Sequence, residues 1–258
     1  MPFAETASGE LQVGIRSRIR RGEVLVGMMV FEFFTPLIPR ILVDAGLDFA
    51  VFDMESSGLS FRKLEVLAAL SHGVGLAPFV RTSTADPAEV GRALDLGAAG
   101  IMAPKIGSVA EAKRFVDAVR FPPEGTRGSG YGAYLHGYVS TASEQTRARI
   151  NAEAVTICQL ESLEGIADAE AIAELEGVDV LNVGRNDLAA ELGVSSKDAR
   201  VRESADLVGR AASRRGKPIL ARATAGAPLP AEHRLILIDH DTAALAAHVR
   251  ASVAGVRK

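Results

Sequence analysis

The hydrophobic positions of this chain form short apolar runs that alternate with segments in which apolar residues recur every three or four positions. Short runs bounded by turn residues predict buried strands, whereas the three-to-four spacing predicts amphipathic helices. The strand candidates are residues 24–30, 49–53, 76–80, 100–103, 155–159, 178–183, 218–220 and 235–238. Eight strands with intervening helices in 258 residues predict one closed (β/α)8 TIM barrel, an α/β fold with a parallel sheet, over residues 1–258.

Helix boundaries support this alternation of strands and helices. Asp86, Pro87 and Glu89 form an N-cap, a first-turn proline and a capping-box acid, and Ser108 with Glu111 repeats the pattern. Three helix-like segments pass through a glycine directly into an apolar strand, at residues 43–53, 93–104 and 175–184. Glycine at that position permits the left-handed turn that sends the chain back toward the sheet.

Composition narrows the class of protein. A formal net charge of −3 gives no broad positive surface for nucleic acid, so we expect no nucleic-acid partner. The single cysteine, Cys158, lies in an apolar strand, which predicts a buried, inert thiol. The first residues lack the pattern of a signal peptide and no apolar run approaches membrane-spanning length, so a cytoplasmic protein without membrane contact is the expectation.

Two acidic side chains follow neighbouring predicted strands near the middle of the chain. Glu161 comes two residues after Gln159, and Asp187 follows the next strand in the turn GRND. The carboxyl ends of parallel barrel strands form one face, where such folds carry their chemistry. Two carboxylates meeting there suit a hard divalent cation, which prefers oxygen ligands. The alternative is that each acid only caps the helix that follows it.

Further charged residues are predicted at the same face. Asp53, Glu55 and Ser56 follow the second strand, Arg81 ends the third and Lys105 follows the fourth. A guanidinium binds two oxygens in one plane, so Arg81 is the candidate for holding a substrate carboxylate. A salt bridge to a neighbouring helix is the alternative for Arg81. The long irregular stretch at residues 121–141 is typical of a lid, a binding loop or an oligomer contact.

Six separated motifs of this chain resemble one known family. In order they are a strand-end DxE, VR, LDLGA, PPxGxRG, QxES and GxxDL, found between residues 24 and 220. Their order and spacing are similar to those of the HpcH/HpaI aldolase family, the class II pyruvate aldolases that include 4-hydroxy-2-oxo-heptanedioate aldolase. The resemblance implies a divalent-metal-dependent carbon–carbon lyase that acts on a 2-keto acid through a pyruvate-type enolate, with an aldehyde as second substrate.

The resemblance also implies roles for individual residues. Glu161 and Asp187 would be the protein ligands of a magnesium, manganese or cobalt ion. A metal can stabilise an enolate by its charge, so no lysine Schiff base is required. Lys105 is therefore interpreted as electrostatic or structural, with a covalent role as the alternative.

On the substrate side, the resemblance assigns Arg81 to the carboxylate or carbonyl end of pyruvate and Gln159 to the vicinity of the substrate. Backbone amides of the turn that contains Gly184, Arg185 and Asn186 would bind a substrate carboxylate. The Arg185 side chain adds a cation that could favour a second acidic group on the substrate. A surface pair with Glu191 is the alternative for Arg185.

One position departs from the family pattern. Family members usually carry a histidine after the second-strand acid, paired with an aspartate at the place of Asp95, but this chain has Ser56 there. Serine has no accessible pKa near neutrality and cannot replace an imidazole as a proton shuttle by itself. Taken alone, Asp95 reads as an ordinary solvated or capping acid. Substitute bases are sought in the long loop, at His136, Tyr131, Tyr134 or Tyr138.

The serine leaves three interpretations of function open. The chain is an aldolase that works without that histidine, or a related enzyme that decarboxylates oxaloacetate or condenses an enolate with another carbonyl. Third, it is a weakened homologue that binds a keto acid without turnover. The family also implies a hexamer, often a trimer of dimers with an exchanged last helix, and the apolar residues 241–256 fit either an exchanged or a self-packed helix. Outside the loop, His240 is the histidine expected near the strand ends.

Overall fold

The structure, a computed structural model, describes residues 14–129, 143–223 and 233–257. Its strands are all parallel and close into a barrel in chain order, which confirms the predicted (β/α)8 TIM-barrel fold. The strands are β1 Leu25–Val30, β2 Phe49–Asp53, β3 Ala77–Arg81, β4 Gly100–Ala103, β5 Val155–Leu160, β6 Val180–Val183, β7 Ile219–Arg222 and β8 His233–His240.

Helices follow most of these strands and surround the barrel. They are α1 Ile15–Arg20, α2 Ile38–Asp44, α3 Phe61–Val74, α4 Pro87–Asp95, α5 Val109–Val119, α6 Glu144–Glu153, α7 Leu163–Ala167, α8 Ala169–Glu174, α9 Arg185–Glu191, α10 Ala199–Arg214 and α11 Asp241–Val256. The predicted caps are present: Asp86 accepts the Ala88 N–H at 2.8 Å, and Ser108 accepts the Glu111 N–H at 3.2 Å. In the described ranges, no helix is long and apolar enough to cross a membrane.

Alternate strand residues build two apolar layers. Residues that point inward, such as Phe49, Val51 and Phe79, fill the barrel, while their neighbours pack against the helices in a larger outer cluster. Cys158 belongs to the outer cluster and is fully buried. The interior is therefore a packed core rather than a channel, and chemistry is confined to the ends of the strands.

Candidate active site

The carboxyl-terminal ends of the strands, here called the mouth, surround a cavity of about 780 Å³. The predicted site residues among its lining are Ser56, Arg81, Gln159, Glu161, Gly184, Arg185, Asn186 and Asp187. Two predicted catalytic residues stand apart from this group. Asp95 is not among the described residues of the lining, and His136 lies outside the described residues.

Glu161 is the buried acid of the mouth, with 4% of its surface exposed. Its carboxylate accepts the Gln159 amide and, at 2.8 Å, the Lys105 backbone N–H. Burial is the main cause that raises the pKa of Glu161; those two hydrogen bonds oppose the rise, and the negative charges of Glu55 and Asp187 add to it. The site thus holds Glu161 where its negative charge is not fully compensated.

Lys105 reaches Glu161 through its backbone and not through its side chain. Its φ of 55° places it in the left-handed region, which costs a non-glycine residue roughly 1 kcal/mol and recurs at functional sites. The Lys105 side chain is 70% exposed, and its Nζ lies 3.8 Å from Glu55. The strained backbone therefore serves to orient the Glu161 carboxylate.

Gly184 allows Glu161 to lie against the turn that carries Asp187. A Cβ atom on Gly184 would stand 1.9 Å from Glu161 Oε2, closer than any real contact. Asp187 follows three residues later in the first turn of α9 and is exposed to the cavity. The absence of a side chain at Gly184 therefore lets Glu161, which follows β5, lie close to the turn that carries Asp187 after β6.

These acids fit a divalent cation. Glu161 and Asp187 are oxygen donors, and Glu161 and Glu55 both have raised pKa values, chiefly because of burial and partly because Asp187 is nearby. A cation would offset that repulsion. Within the described ranges, no three His, Cys, Asp or Glu side chains group closely enough to hold a metal by themselves. A bound ion would thus have two protein carboxylates and leave positions for substrate or water.

Arg81 is fixed by two acids at the carboxyl end of β2. Its Nε lies 2.5 Å from Asp53 Oδ1, and its guanidinium lies 3.0 Å from Glu55 Oε2. Burial lowers the pKa of Arg81, but the Asp53 hydrogen bond and the Asp53 and Glu55 charges outweigh it and leave that pKa raised. The ring of Phe31 lies 5.6 Å from the same guanidinium. Arg81 is therefore a permanent, oriented cation at the cavity wall, and its ion pairs within the described residues are to acids at the end of β2 rather than to a helix.

Ser56 and Asp95 lie at opposite ends of the barrel. Ser56 is exposed after β2, where its N–H donates to Asp53 Oδ2 at 2.8 Å. Asp95 ends α4, which runs back from the mouth, and it pairs with the buried Arg127 at 2.7 Å. Asp95 cannot contact Ser56 within one chain.

Arg185 and Asn186 occupy the exposed first turn of α9. Glu191, the alternative partner of Arg185, instead accepts the Leu163 N–H at 3.1 Å. The sequence did not single out Asn182, although it also lines the cavity and donates to the Leu220 carbonyl at 2.8 Å. Its signal was a polar residue within an otherwise apolar strand.

A parallel barrel whose mouth gathers two carboxylates, an anchored arginine and a glycine turn defines a TIM-barrel enzyme. A family model, HpcH/HpaI aldolase/citrate lyase, matches residues 28–219, so the chain belongs to that family, as the motifs predicted.

Named relatives agree with this assignment. A hydroxypyruvate/pyruvate aldolase from Roseovarius nubinhibens is 31% identical over 69% of this chain and 68% of its own length. A 5-keto-4-deoxy-D-glucarate aldolase from Shigella boydii is 33% identical over 71% of each chain. The crystal structure of an HpcH/HpaI aldolase from Desulfitobacterium hafniense has a TM-score of 0.87 at 28% identity and covers 96% of this chain and 98% of its own. The chain is therefore a member of an aldolase and lyase family.

Proposed function

We propose that this protein is a divalent-metal-dependent carbon–carbon lyase that acts on a 2-keto acid through a pyruvate-type enolate. The observation that carries the proposal is the Gly184 turn, which leaves room for the Glu161 carboxylate beside the turn that bears Asp187. Two carboxylates are costly to bring together in a partly buried site unless a cation joins them. Glu161 and Asp187 would hold magnesium, manganese or cobalt.

The residues around this pair provide for a keto acid. Arg81 is held by Asp53 and Glu55, so it presents a fixed positive charge to a substrate carboxylate without reorganising. The backbone N–H groups at the start of α9, at Arg185 and Asn186, favour a second negative group. When bound, the divalent ion supplies the positive charge that stabilises the enolate oxygen as the carbon–carbon bond breaks or forms.

Ser56 distinguishes this chain from the family pattern. Ser56 lines the cavity, but its hydroxyl has no accessible pKa near neutrality. Because Asp95 lies at the far end of the barrel, the two do not form a proton relay in one chain. We infer that proton transfer relies on other groups, with the His136 loop as one source and solvent as another.

Metal dependence can be tested on the enolate step alone. The chelator-treated protein is incubated with pyruvate in D2O, and exchange of the methyl protons is followed by NMR with and without Mg²⁺, Mn²⁺ or Co²⁺. We expect exchange only with a metal, and a loss of at least about 100-fold in Glu161→Gln. Calorimetric titration with Mn²⁺ would show the same substitution weakening metal binding.

A covalent mechanism makes the opposite prediction. If Lys105 formed a Schiff base, exchange would persist in chelator and borohydride would inactivate the enzyme in the presence of pyruvate. Lys105→Gln is the matched variant, and under our proposal it keeps metal-dependent exchange. Metal-independent exchange that Lys105→Gln abolishes would contradict the proposal.

The same enzyme is proposed to work as a homo-oligomer, with α11 packed on another copy. Asp241 is the buried residue of α11, whereas Leu245, Val249 and Val253 are 51%, 48% and 40% exposed and form one stripe at four-residue spacing. An apolar stripe of this kind marks an interaction surface. We expect Leu245→Lys to lower the molar mass measured by light scattering, whereas Ala247→Lys on another face leaves it unchanged.

A further inference from the structure

An irregularity in β8 turns a histidine toward the cavity. β8 pairs with β1 in regular register from Leu25 with Leu235 to Gly27 with Leu237, but Met29 then pairs with His240. β8 therefore uses one residue more than β1 over this step, and regular pairing would have placed Asp239 opposite Met29. Partners across parallel strands face the same side of a sheet, and Met29 lines the cavity. The bulge thus directs His240 to that side.

The hydrogen bonds of His240 fix which ring nitrogen carries the proton. Nδ1 lies 3.3 Å from the Ala243 backbone N–H, at the start of α11, and 3.0 Å from the Thr242 hydroxyl. A backbone N–H can only donate, so Nδ1 accepts and the neutral ring carries its proton on Nε2. Among the described residues no hydrogen bond reaches Nε2. Nε2–H is therefore the donor left for a ligand in the cavity.

The imidazole is held beside the substrate-binding residues. Its ring meets the Phe31 ring edge-on at 5.4 Å and 82°, and the Arg81 guanidinium lies 5.6 Å from the centre of the same Phe31 ring. The two distances place the imidazole within about 11 Å of that guanidinium. Asp241, the next residue, accepts the backbone N–H groups of Phe31, Glu32 and Phe33 at 3.2, 2.9 and 2.8 Å. His240 and Phe31 are therefore positioned together.

We propose that His240 contacts the electrophilic substrate, with its Nε2–H donating to the carbonyl oxygen of an aldehyde or keto acid. The inference rests on the proposed function, because it requires an enolate of pyruvate as the other reactant. When the enolate carbon bonds to the carbonyl carbon, the carbonyl π pair moves onto the oxygen, and the donated hydrogen bond stabilises the charge there. The ring keeps its proton, and the proton of the new hydroxyl comes from solvent.

Three substitutions separate this role from capping of α11. In His240→Gln the side-chain amide nitrogen can reach the position of Nε2 and replace the donor. In His240→Asn the side chain can still cap α11 but is too short to reach the position of Nε2. His240→Ala provides neither the donor nor the cap. With pyruvate and the best of acetaldehyde, glycolaldehyde and glyoxylate, we expect His240→Ala and His240→Asn to lower kcat/KM for the electrophile about tenfold or more. His240→Gln should retain part of the activity, and His248→Ala on exposed α11 should match the wild type.

Methyl exchange of pyruvate separates the two proposals. All three His240 variants should exchange within about twofold of the wild type, since the donor acts on the second substrate only. If wild-type exchange is absent with every metal, the proposed function fails. If exchange is normal and His240→Ala adds the electrophile as well as the wild type, only the role of His240 fails.

Two further results would also overturn the role of His240. One is wild-type activity in His240→Asn with loss in His240→Ala, because the histidine would then matter only as a cap. The other is a proton on Nδ1, read from the nitrogen-15 NMR pattern of the His240 imidazole in the intact protein. Our proposal expects the Nε2–H tautomer, which a helix cap alone also requires, so the kinetic order of the variants decides between these roles.

Discussion

At the amino-terminal ends of the strands, here called the base, Asp179 lies between the buried Arg16 and Arg120, whereas at the mouth Arg81 lies between Asp53 and Glu55. The base has more buried positive than negative charge, and burial lowers the pKa of Arg120 to about 10, with repulsion from Arg16 adding to the effect. The mouth has the opposite excess, because Glu161 and Asp187 add to those acids.

The excess positive charge at the base and the excess negative charge at the mouth are compensated differently. At the base, Arg16 donates to the Asn151 carbonyl at 2.9 Å and Arg120 donates to the Ala154 carbonyl at 2.7 Å, so neutral backbone completes the network. At the mouth, the pKa of Glu161 stays raised even with two hydrogen bonds. The lowered pKa of Arg120 shows that the base also keeps a charge that burial disfavours, but none of Arg16, Arg120 and Asp179 lines the cavity, and protein groups close their network. Glu161 lines the cavity, where the proposed cation would supply the positive charge that the mouth lacks.

Breaking the charge network of Asp179 with Arg16 and Arg120, at the base of the barrel, should have the largest effect on stability. In Asp179→Asn, an amide N–H would face the arginines, and two buried guanidiniums would lose their carboxylate. We expect the free energy of unfolding to fall by about 3–5 kcal/mol, measured by urea denaturation. A loss below about 1 kcal/mol would show that the carbonyl contacts alone sustain the base.

A single methyl group at the mouth should have the next largest effect. Gly184→Ala places a Cβ where Glu161 Oε2 now lies, so the carboxylate must move away from the Asp187 turn. We expect Mn²⁺ affinity to fall by roughly 10–100-fold in calorimetric titration. Gly91→Ala is the matched control, because its Cβ meets nothing within 4 Å. Equal Mn²⁺ affinity in Gly184→Ala and Gly91→Ala would show that the space at Gly184 is not needed for metal binding.

The next prediction concerns the reactivity of the Cys158 thiol, which lies in the outer apolar cluster behind β5. Burial raises the pKa of Cys158 to about 12, so at pH 8 nearly all of it is the unreactive thiol. We expect native protein to label with a disulfide reagent at least about 100-fold more slowly than urea-unfolded protein. Rapid labelling of the native protein would place Cys158 on the cavity side of β5.

The barrel and most of its mouth could be predicted because both depend on local patterns. Apolar runs of three to seven residues mark strands, and a charged residue within a few positions after such a run, as at Glu161, Asp187 or Arg81, lies near a strand end. Motif order then placed the chain in its family, which the family model confirmed.

Other features depend on three-dimensional register and could not be predicted. The bulge that aims His240 arises from the pairing of β8 with β1, and the local sequence LILIDH does not specify that pairing. Likewise the sequence spacing between Arg81 and Asp95 does not show that the intervening helix carries Asp95 to the base. The close approach of Gly184 to Glu161 joins residues of two strands, so neither local pattern contains it.

The smallest effect is expected for Glu161→Gln, which makes at the mouth the same acid-to-amide change that Asp179→Asn makes at the base. It tests most directly whether the two charge networks differ. In metal-free Glu161→Gln, the Gln159 amide can rotate and accept from the new N–H, so the hydrogen bonds to Gln159 and Lys105 both survive. Repulsion from Glu55 and Asp187 is removed as well. We expect the free energy of unfolding to change by less than about 1 kcal/mol, or to rise, in the same urea assay. A loss of stability as large as that of Asp179→Asn would mean that Glu161 stabilises the fold. The charge networks at the mouth and at the base would then have the same structural role.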